Sequence, residues 1–384
     1  MHPRWRWTVS LCLALLAAPL GAQVIYVDAD APGANDGSSW DNAYQDLQSA
    51  LEVAIAGSVI KVANGTYRPS VPFVKGIPPT VTFALPDRVT LQGGYAGSGF
   101  PNPEARSLSP SGSVLSGDLE VGSNCWTVAT VASGTVTLDG FTVRDGDNTA
   151  GIMKGAGLQI MDATVTVQSC FFTENTVFFE GSAIDMQRGD LTVRDSLFAG
   201  NHGYFGNSGG GAIEADGPVV VTDSVFISNG WGVGGGAISA PSVEVLGCVF
   251  RFNRAMFGGG AISGDEVLLR HCEFSNCTAS GASFIGGRGG AVQAFGTLTA
   301  WSCTFEANQA FGSDWDGNMP GEGGAVWCDA EAELQDCTFT DNYAGGSIAT
   351  GGFGGALYVA GGGYRQGTFE EFLAMRGLRE DRPD

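Results

Sequence analysis

Phe226-Ile227-Ser228-Asn229-Gly230-Trp231-Gly232-Val233-Gly234-Gly235-Gly236-Ala237-Ile238 contains, in thirteen residues, every mark of a repeat that runs through most of the chain. A small residue followed by an aliphatic one stands at Gly157-Leu158, Ala183-Ile184, Ala212-Ile213, Ala237-Ile238, Ala261-Ile262, Ala291-Val292, Ala325-Val326 and Ala356-Leu357. Two positions before each is a glycine: Gly155, Gly181, Gly210, Gly235, Gly259, Gly289, Gly323 and Gly354. Thirteen to fifteen residues after the small residue comes Phe172, Phe198, Phe226, Phe250, Phe274, Phe305 or Phe339. Three residues further stands Asn175, Asn201, Asn229, Asn253, Asn308 or Asn342, with Cys277 in that slot in one copy. A fixed period of roughly 20–50 residues means a solenoid, a propeller or an array.

The interior of the repeat separates these. Apolar residues fall seven and five positions before each Phe, as in Leu191/Val193, Val219/Val221 and Val243/Val245, which is the alternation of a strand with one buried face. The alternation breaks for one step and resumes two before the Phe, at Cys170, Ser196, Ser224, Cys248, Cys272, Cys303 and Cys337. That break reads as a corner between two short strands. The shortest period, Ala237 to Ala261, is 24 residues. This suits one coil of a three-strand parallel β-helix, whereas a propeller blade needs four longer strands over about 40 residues. The expected fold is therefore all-β: a single-domain parallel β-helix. Coils stacked about 4.8 Å apart would place like on like, giving a phenylalanine stack and an asparagine ladder inside the solenoid. Both ladders read as structural.

Residues 1–22 read as a secretory signal peptide, with Arg4 and Arg6 ahead of an apolar stretch and Leu20-Gly21-Ala22 before Gln23. Residues 23–120 read as an N-terminal cap and first coils. They carry a strand at 24–27, a turn-rich loop at 28–37, a short capping helix within 44–54 (Leu47, Ala50, Leu51, Ala54) and a strand at 59–62. Further strands follow at 81–85, 89–92 and 114–116. A helix across the first coil covers an otherwise open hydrophobic end. Residues 121–363 form the repeat region and 364–384 a charged C-terminal tail. In the tail the expected aliphatic pair is replaced by Gly363 and Arg365, and a turn or two of helix is expected at 369–375.

Charge and cysteine content narrow the partners. Cleavage after residue 22 removes two of 19 basic residues and none of 40 acidic ones, leaving a net charge of −23 with only Lys61, Lys75 and Lys154 as lysines. Such a surface excludes nucleic acid and anionic lipid as partners. No apolar run approaches a membrane span, so no transmembrane segment is expected. Eight cysteines remain after cleavage, four of them (Cys248, Cys272, Cys303, Cys337) in one inward slot on consecutive coils. Side chains in register point the same way, which favours buried thiols over disulfides. Cys328 with Cys337 and Cys272 with Cys277 are the alternative bridges.

Loop lengths give the functional clue. From small residue to Phe the spacing is 15, 15, 14, 13, 13, 14 and 14. From the Asn slot to the next small residue it is 8, 11, 8, 8, 14, 17 and 14. All variation enters at one corner, so insertions project from one side of the solenoid, where repeat proteins bind. The long loops carry Phe284, Arg288, Phe311, Asp314, Trp315, Asp316, Asn318, Glu322 and Tyr343. Aromatics beside carboxylates can stack on sugar rings and accept sugar hydroxyls, making a polysaccharide or another cell-surface component the expected ligand. Asp314, Asp316 and Asn318 could hold calcium. The competing reading is that Trp315 and the phenylalanines fold back to cover the corner. Catalytic signals are weak: Lys154 near Asp145 and Asp147, and Arg288 near the long loops, form no motif, and His202 and His271 have no visible partner in the sequence. The oxygen-rich loop Asp28/Asp30/Asn35/Asp36 departs from calcium-loop spacing and reads as turn chemistry.

Two stretches carry a family resemblance. Gly235-Gly236-Ala237-Ile238 alternating with Phe226-Ile227-Ser228-Asn229 resembles the repeat of the chlamydial polymorphic outer membrane proteins. The region 25–67, Leu91-Gln92-Gly93-Gly94-Tyr95 and Val114-Leu115-Ser116-Gly117-Asp118 are similar to secreted bacterial proteins of the pectin-lyase-like superfamily. The resemblance covers roughly residues 24–360 and implies a right-handed β-helix exported to the envelope or beyond. That superfamily includes lyases, hydrolases and adhesins, so it implies function less than fold. A non-catalytic adhesion or envelope protein is expected first, a polysaccharide lyase or hydrolase second.

Overall fold

The computed structural model describes residues 22–69, 80–109, 112–120, 122–149, 154–178, 181–203, 211–281, 285–313, 319–345, 352–361 and 364–365. These form a parallel β-helix. Among them are three parallel sheets, of eighteen, ten and eight strands, and one helix. A representative coil runs through Ile213–Ala215 and Val219–Thr222 in the long sheet. It turns into Val225–Ile227 in the ten-stranded sheet and then into Gly230–Gly232 in the eight-stranded one.

The repeat sets the register. Leu158, Ile184, Ile213, Ile238, Ile262, Val292, Val326 and Leu357 pair in succession along one row of the long sheet. Phe172, Phe198, Phe226, Phe250, Phe274, Phe305 and Phe339 pair in the same way in the ten-stranded sheet. Their rings stack at centroid distances of 4.7–5.0 Å and tilts of 3–7°. The strand spacing imposes this face-to-face geometry. All but Phe339 are fully buried.

Each of the two corners flanking the ten-stranded sheet takes one residue in the left-handed region. Before the ten-stranded sheet these are Ser169, Asp195, Asp223, Gly247, His271, Ser302 and Asp336, and after it Glu174, Gly200, Ser228, Phe252, Asn276, Ala307 and Asp341. Small or short polar residues dominate because their side chains tolerate that conformation best. The asparagine ladder follows directly. Asn201 Nδ2 donates to Phe172 O at 2.9 Å and to Asn229 Oδ1 at 3.0 Å, and Asn229 repeats the pattern to Phe198 O and Asn253 Oδ1. Cys277 interrupts the ladder, its thiol reaching Phe250 O at 3.6 Å.

The glycine two before each small residue serves two needs. Gly155, Gly181, Gly289, Gly323 and Gly354 have φ between 58° and 71°. Gly235 and Gly259 do not, but a Cβ there would collide with Ile238 O and Ile262 O. Gly210 lies outside the described residues.

All eight cysteines after residue 22 are free thiols, seven of them buried and Cys337 half-buried. Neither alternative bridge, Cys328 with Cys337 or Cys272 with Cys277, is formed.

Helix α1 (Leu47–Val53) buries Leu47, Ala50 and Leu51 over the first coil, packed on strands Val24–Val27 and Phe83–Ala84. Asp46 caps it, accepting from Ser49 N at 2.8 Å and Ser49 Oγ at 2.7 Å. The helix is shorter than the stretch 44–54, because Tyr44 instead bridges to Val27. At the other end, Tyr364-Arg365 pairs with Ala332-Glu333, seven residues after Leu357, a step that the coils at Leu158–Val165 and Ile184–Leu191 share and the two preceding coils shorten to six. The helix expected at 369–375 lies outside the described residues.

Candidate functional site

Of the expected site residues, Arg288, Phe311, Glu322 and Tyr343 are described, and Arg288 and Glu322 come together; Phe284, Asp314, Trp315, Asp316 and Asn318 lie outside the described residues. Arg288 Nε donates to Glu322 Oε2 at 3.1 Å, and the two backbones form a parallel bridge across successive coils. The same Oε2 accepts Trp327 Nε1 at 2.9 Å. The Arg288 guanidinium lies 4.8 Å from the Trp327 ring centroid, and Phe295 meets the indole edge-on at 6.1 Å. One carboxylate thus satisfies the donor of a Trp that is only 3 % exposed and also orients an arginine that remains part-exposed.

Trp327 is there because of alternation. In Val326–Cys328 the outer two side chains point into the core, so Trp327 faces out. Its row on the long sheet continues through Gln293, Ser263, Ser239, Glu214, Asp185 and Gln159, an outward row that is largely buried because the glycine corners fold over it. Within it Ser239 Oγ donates to Glu214 Oε1 at 3.2 Å and Ser263 Oγ to Gln293 Oε1 at 3.3 Å. Asp185 and Glu214 are direct register partners on consecutive coils.

Around the long loops lie Ile285, Phe295, Phe311, Met319, Tyr343 and Phe353, all exposed. Phe311 and Tyr343 meet edge-on at 6.4 Å. Gathered exposed apolar side chains mark interaction surfaces. Phe295, Phe353 and Trp327 were not singled out by sequence reasoning. For Phe295 and Trp327 the signal was the outward parity of the strands beginning at Val292 and Val326; Phe353, bridged to Glu322 outside any strand, had none.

Other sequence candidates resolve into structure. Asp28 accepts Asp30 N at 3.0 Å and Ser98 N at 2.6 Å, Asn35 accepts Gln45 N at 2.8 Å, and Asp36 accepts Ser38 N at 2.9 Å. The bonds to Asp30 and Ser38 are turn contacts, as expected for this loop, whereas those to Ser98 and Gln45 tie it to distant segments; the Ser38 side-chain and backbone hydrogen bonds lower the Asp36 pKa. Asp145 is taken up by Ser116 Oγ at 2.7 Å and Arg144 at 3.2 Å, and Asp147 by Thr149. Among the described residues no group of three or more His, Cys, Asp or Glu is arranged to hold a metal, and no helix is long and apolar enough to cross a membrane. The calcium candidates Asp314, Asp316 and Asn318 lie outside the described residues.

A family model described as the right handed beta helix region matches residues 127–309. The match supplies the hand of the solenoid, which is a right-handed parallel β-helix, as the resemblance implied. No curated protein and no solved structure matches the chain.

Proposed function

We propose that the protein is an exported β-helix scaffold that binds a polysaccharide or another cell-surface component at the long-loop corner without turning it over, serving adhesion or envelope architecture. The observation that carries this reading is the gathering of exposed aromatic and aliphatic side chains around the Arg288–Glu322–Trp327 cluster. Aromatic faces cover the apolar side of a sugar, and an arginine held by one carboxylate keeps donors for hydroxyls or acids. Export rests on the signal-like residues 1–22. The buried thiols agree with it, because burial keeps them from the oxidising chemistry of that compartment.

A second reading, a polysaccharide lyase or hydrolase, is favoured by Asp185 and Glu214 on adjacent coils, since paired carboxylates are the machinery of glycoside hydrolysis. A glycan array combined with reducing-end and unsaturated-product assays, with and without calcium, separates the two. Binding without turnover, weakened at least fivefold by Phe295→Ala or Phe353→Ala, supports the scaffold. Turnover abolished by Asp185→Asn or Glu214→Gln replaces it with the enzyme. Absence of any glycan binding in the array removes the polysaccharide arm.

A further inference from the structure

Four cysteines stand one above another inside the solenoid, and the long-loop corner makes no use of them. Cys248, Cys272, Cys303 and Cys337 occupy one slot on consecutive coils, each two residues before a phenylalanine of the stack. The backbone runs in step through them. Glu273 N donates to Cys248 O, Thr304 N to Cys272 O and Thr338 N to Cys303 O, each at 2.9 Å. The sulfurs point the same way, because each lies 3.1–3.3 Å from the carbonyl oxygen two residues earlier, at Leu246, Arg270, Trp301 and Gln335. The first three thiols are buried and Cys337, at the end of the row, is half-buried. Packing does not ask for sulfur here: Ser196 and Ser224 fill the same slot on earlier coils and are buried too.

The spacing of the row matches one coordination geometry. The phenylalanines two residues on stack at 4.8, 4.9 and 4.8 Å over the same three steps. A metal–thiolate bond is about 2.3 Å, so two bonds in line span about 4.6 Å, the rise of one coil. Side chains stand roughly perpendicular to their sheet, so the line between stacked sulfurs runs along the axis and meets each Cβ–Sγ bond near a right angle, close to the bend of sulfur's two bonds. An ion between neighbours therefore needs no coil to move. Each sulfur also receives a backbone N–H from one coil earlier. Ser224 N reaches Cys248 Sγ at 3.3 Å, and the N–H groups of Cys248, Cys272 and Cys303 serve Cys272, Cys303 and Cys337 in turn. The Cys303 S–H can donate to the sulfur on either side, which lowers the pKa of Cys272 and of Cys337 and raises that of Cys303. Among the described residues no three His, Cys, Asp or Glu are arranged around one ion, but a two-coordinate ion needs only two.

We propose that adjacent thiols of this row bind copper(I), a soft monovalent cation, each ion held in line between two sulfurs on successive coils. Thiolate sulfur is a ligand type that selects Cu(I). Each ion replaces one proton: a copper(I) ion and two S–H groups give a thiolate–copper–thiol bridge and one released H⁺, so the core gains no net charge. The row makes two separate pairs, Cys248 with Cys272 and Cys303 with Cys337, and the half-buried Cys337 is the point of entry. It shares no residue with the long-loop corner, so each site stands or fails without the other.

The test is anaerobic titration of the full chain with Cu(I), supplied as its acetonitrile complex both to the folded protein and during refolding, with bound copper counted after gel filtration. Two ions per chain are expected, and X-ray absorption should show two sulfur ligands per copper with no nitrogen or oxygen. Cys303→Ser leaves only Cys248 and Cys272 adjacent, and Cys272→Ser leaves only Cys303 and Cys337, so each variant should retain one ion. Cys272→Ser combined with Cys337→Ser leaves no adjacent thiols and should retain none. Serine already fills this slot at Ser196 and Ser224, so these variants keep the fold, which circular dichroism checks. Cys277→Ser, whose neighbours in its own slot are Asn253 and Asn308, should still hold two ions. Zinc takes four ligands in a tetrahedron and should not displace the copper at roughly tenfold excess. No copper retained by either route, three or more ligands per ion, displacement by zinc, or two ions surviving in the double variant would overturn the proposal.

Discussion

Replacing Asn229 with alanine tests the ladder at its centre. Asn229 Oδ1 accepts Asn201 N at 3.1 Å and Asn201 Nδ2 at 3.0 Å, while its Nδ2 donates to Phe198 O at 2.9 Å and to Asn253 Oδ1 at 3.0 Å. After truncation Asn201 Nδ2 keeps Phe172 O, and Asn253 Oδ1 keeps the backbone N–H of Asn229. The N–H of Asn201 loses its acceptor in a place where the residue is fully buried. An orphaned buried donor costs about 1–3 kcal/mol, and loss of the bond to Phe198 O adds about 1 more. The expected destabilisation is therefore roughly 2–4 kcal/mol, read as a shift in the denaturant midpoint followed by circular dichroism. Asn229→Cys should fall between, because a thiol in this slot still reaches the carbonyl, as Cys277 does at 3.6 Å. A loss for Asn229→Ala below about 1 kcal/mol would mean the ladder is not a source of stability and would refute the reasoning.

Cys277→Asn should raise the unfolding free energy by about 1 kcal/mol, since the amide would join Asn253 to Asn308; an unchanged or lower denaturant midpoint contradicts this. Phe226→Ala, between rings 4.7 and 5.0 Å away, should cost about 3–5 kcal/mol, and Phe339→Ala, half-buried with one stacked neighbour, less than half as much in the same titration. Burial pushes the thiols of Cys125, Cys170, Cys248 and Cys277 up to about 12 from an ordinary 9.0. Their folded pKa lies above the unfolded one, so their contribution is fully present below pH 9 and is lost as pH rises from 9 towards 12. Denaturation midpoints measured across that window should fall, and thiol reagents at pH 8 should leave these four unlabelled until the protein unfolds.

Much of the fold was legible because a parallel β-helix converts sequence period into spatial contact. The inward Phe, Asn and aliphatic rows could be read before any coordinates, since each has one burial state and one register. The capping helix was legible from the spacing of Leu47, Ala50 and Leu51, though its start was not, because Tyr44 pairs with Val27 instead. Outward positions were harder. The row from Gln159 through Asp185 and Glu214 to Trp327 has the polarity of a solvated face, yet the glycine corners bury most of it. Trp231 stands beside two glycines in a segment whose bulge has no signature in the repeat. Arg288 and Glu322 were singled out for lying on long loops, but their link through Trp327 depends on contacts between coils that spacing alone does not fix. The step into the last strand, at Tyr364, was not legible either, because the repeat loses its aliphatic pair there and earlier coils use steps from five to seven residues.

The stacking itself is open to direct measurement. Thr166, Thr192, Val220, Glu244, Leu268, Thr299 and Glu333 are successive register partners on the long sheet, the first and last 167 positions apart in the chain. Spin labels at Thr166 and Glu333 should therefore report a narrow distance distribution centred near 29 Å, six steps of about 4.8 Å. A broad distribution, or one displaced by two steps or about 10 Å, would contradict the in-register coil on which the ladders and the long-loop corner depend.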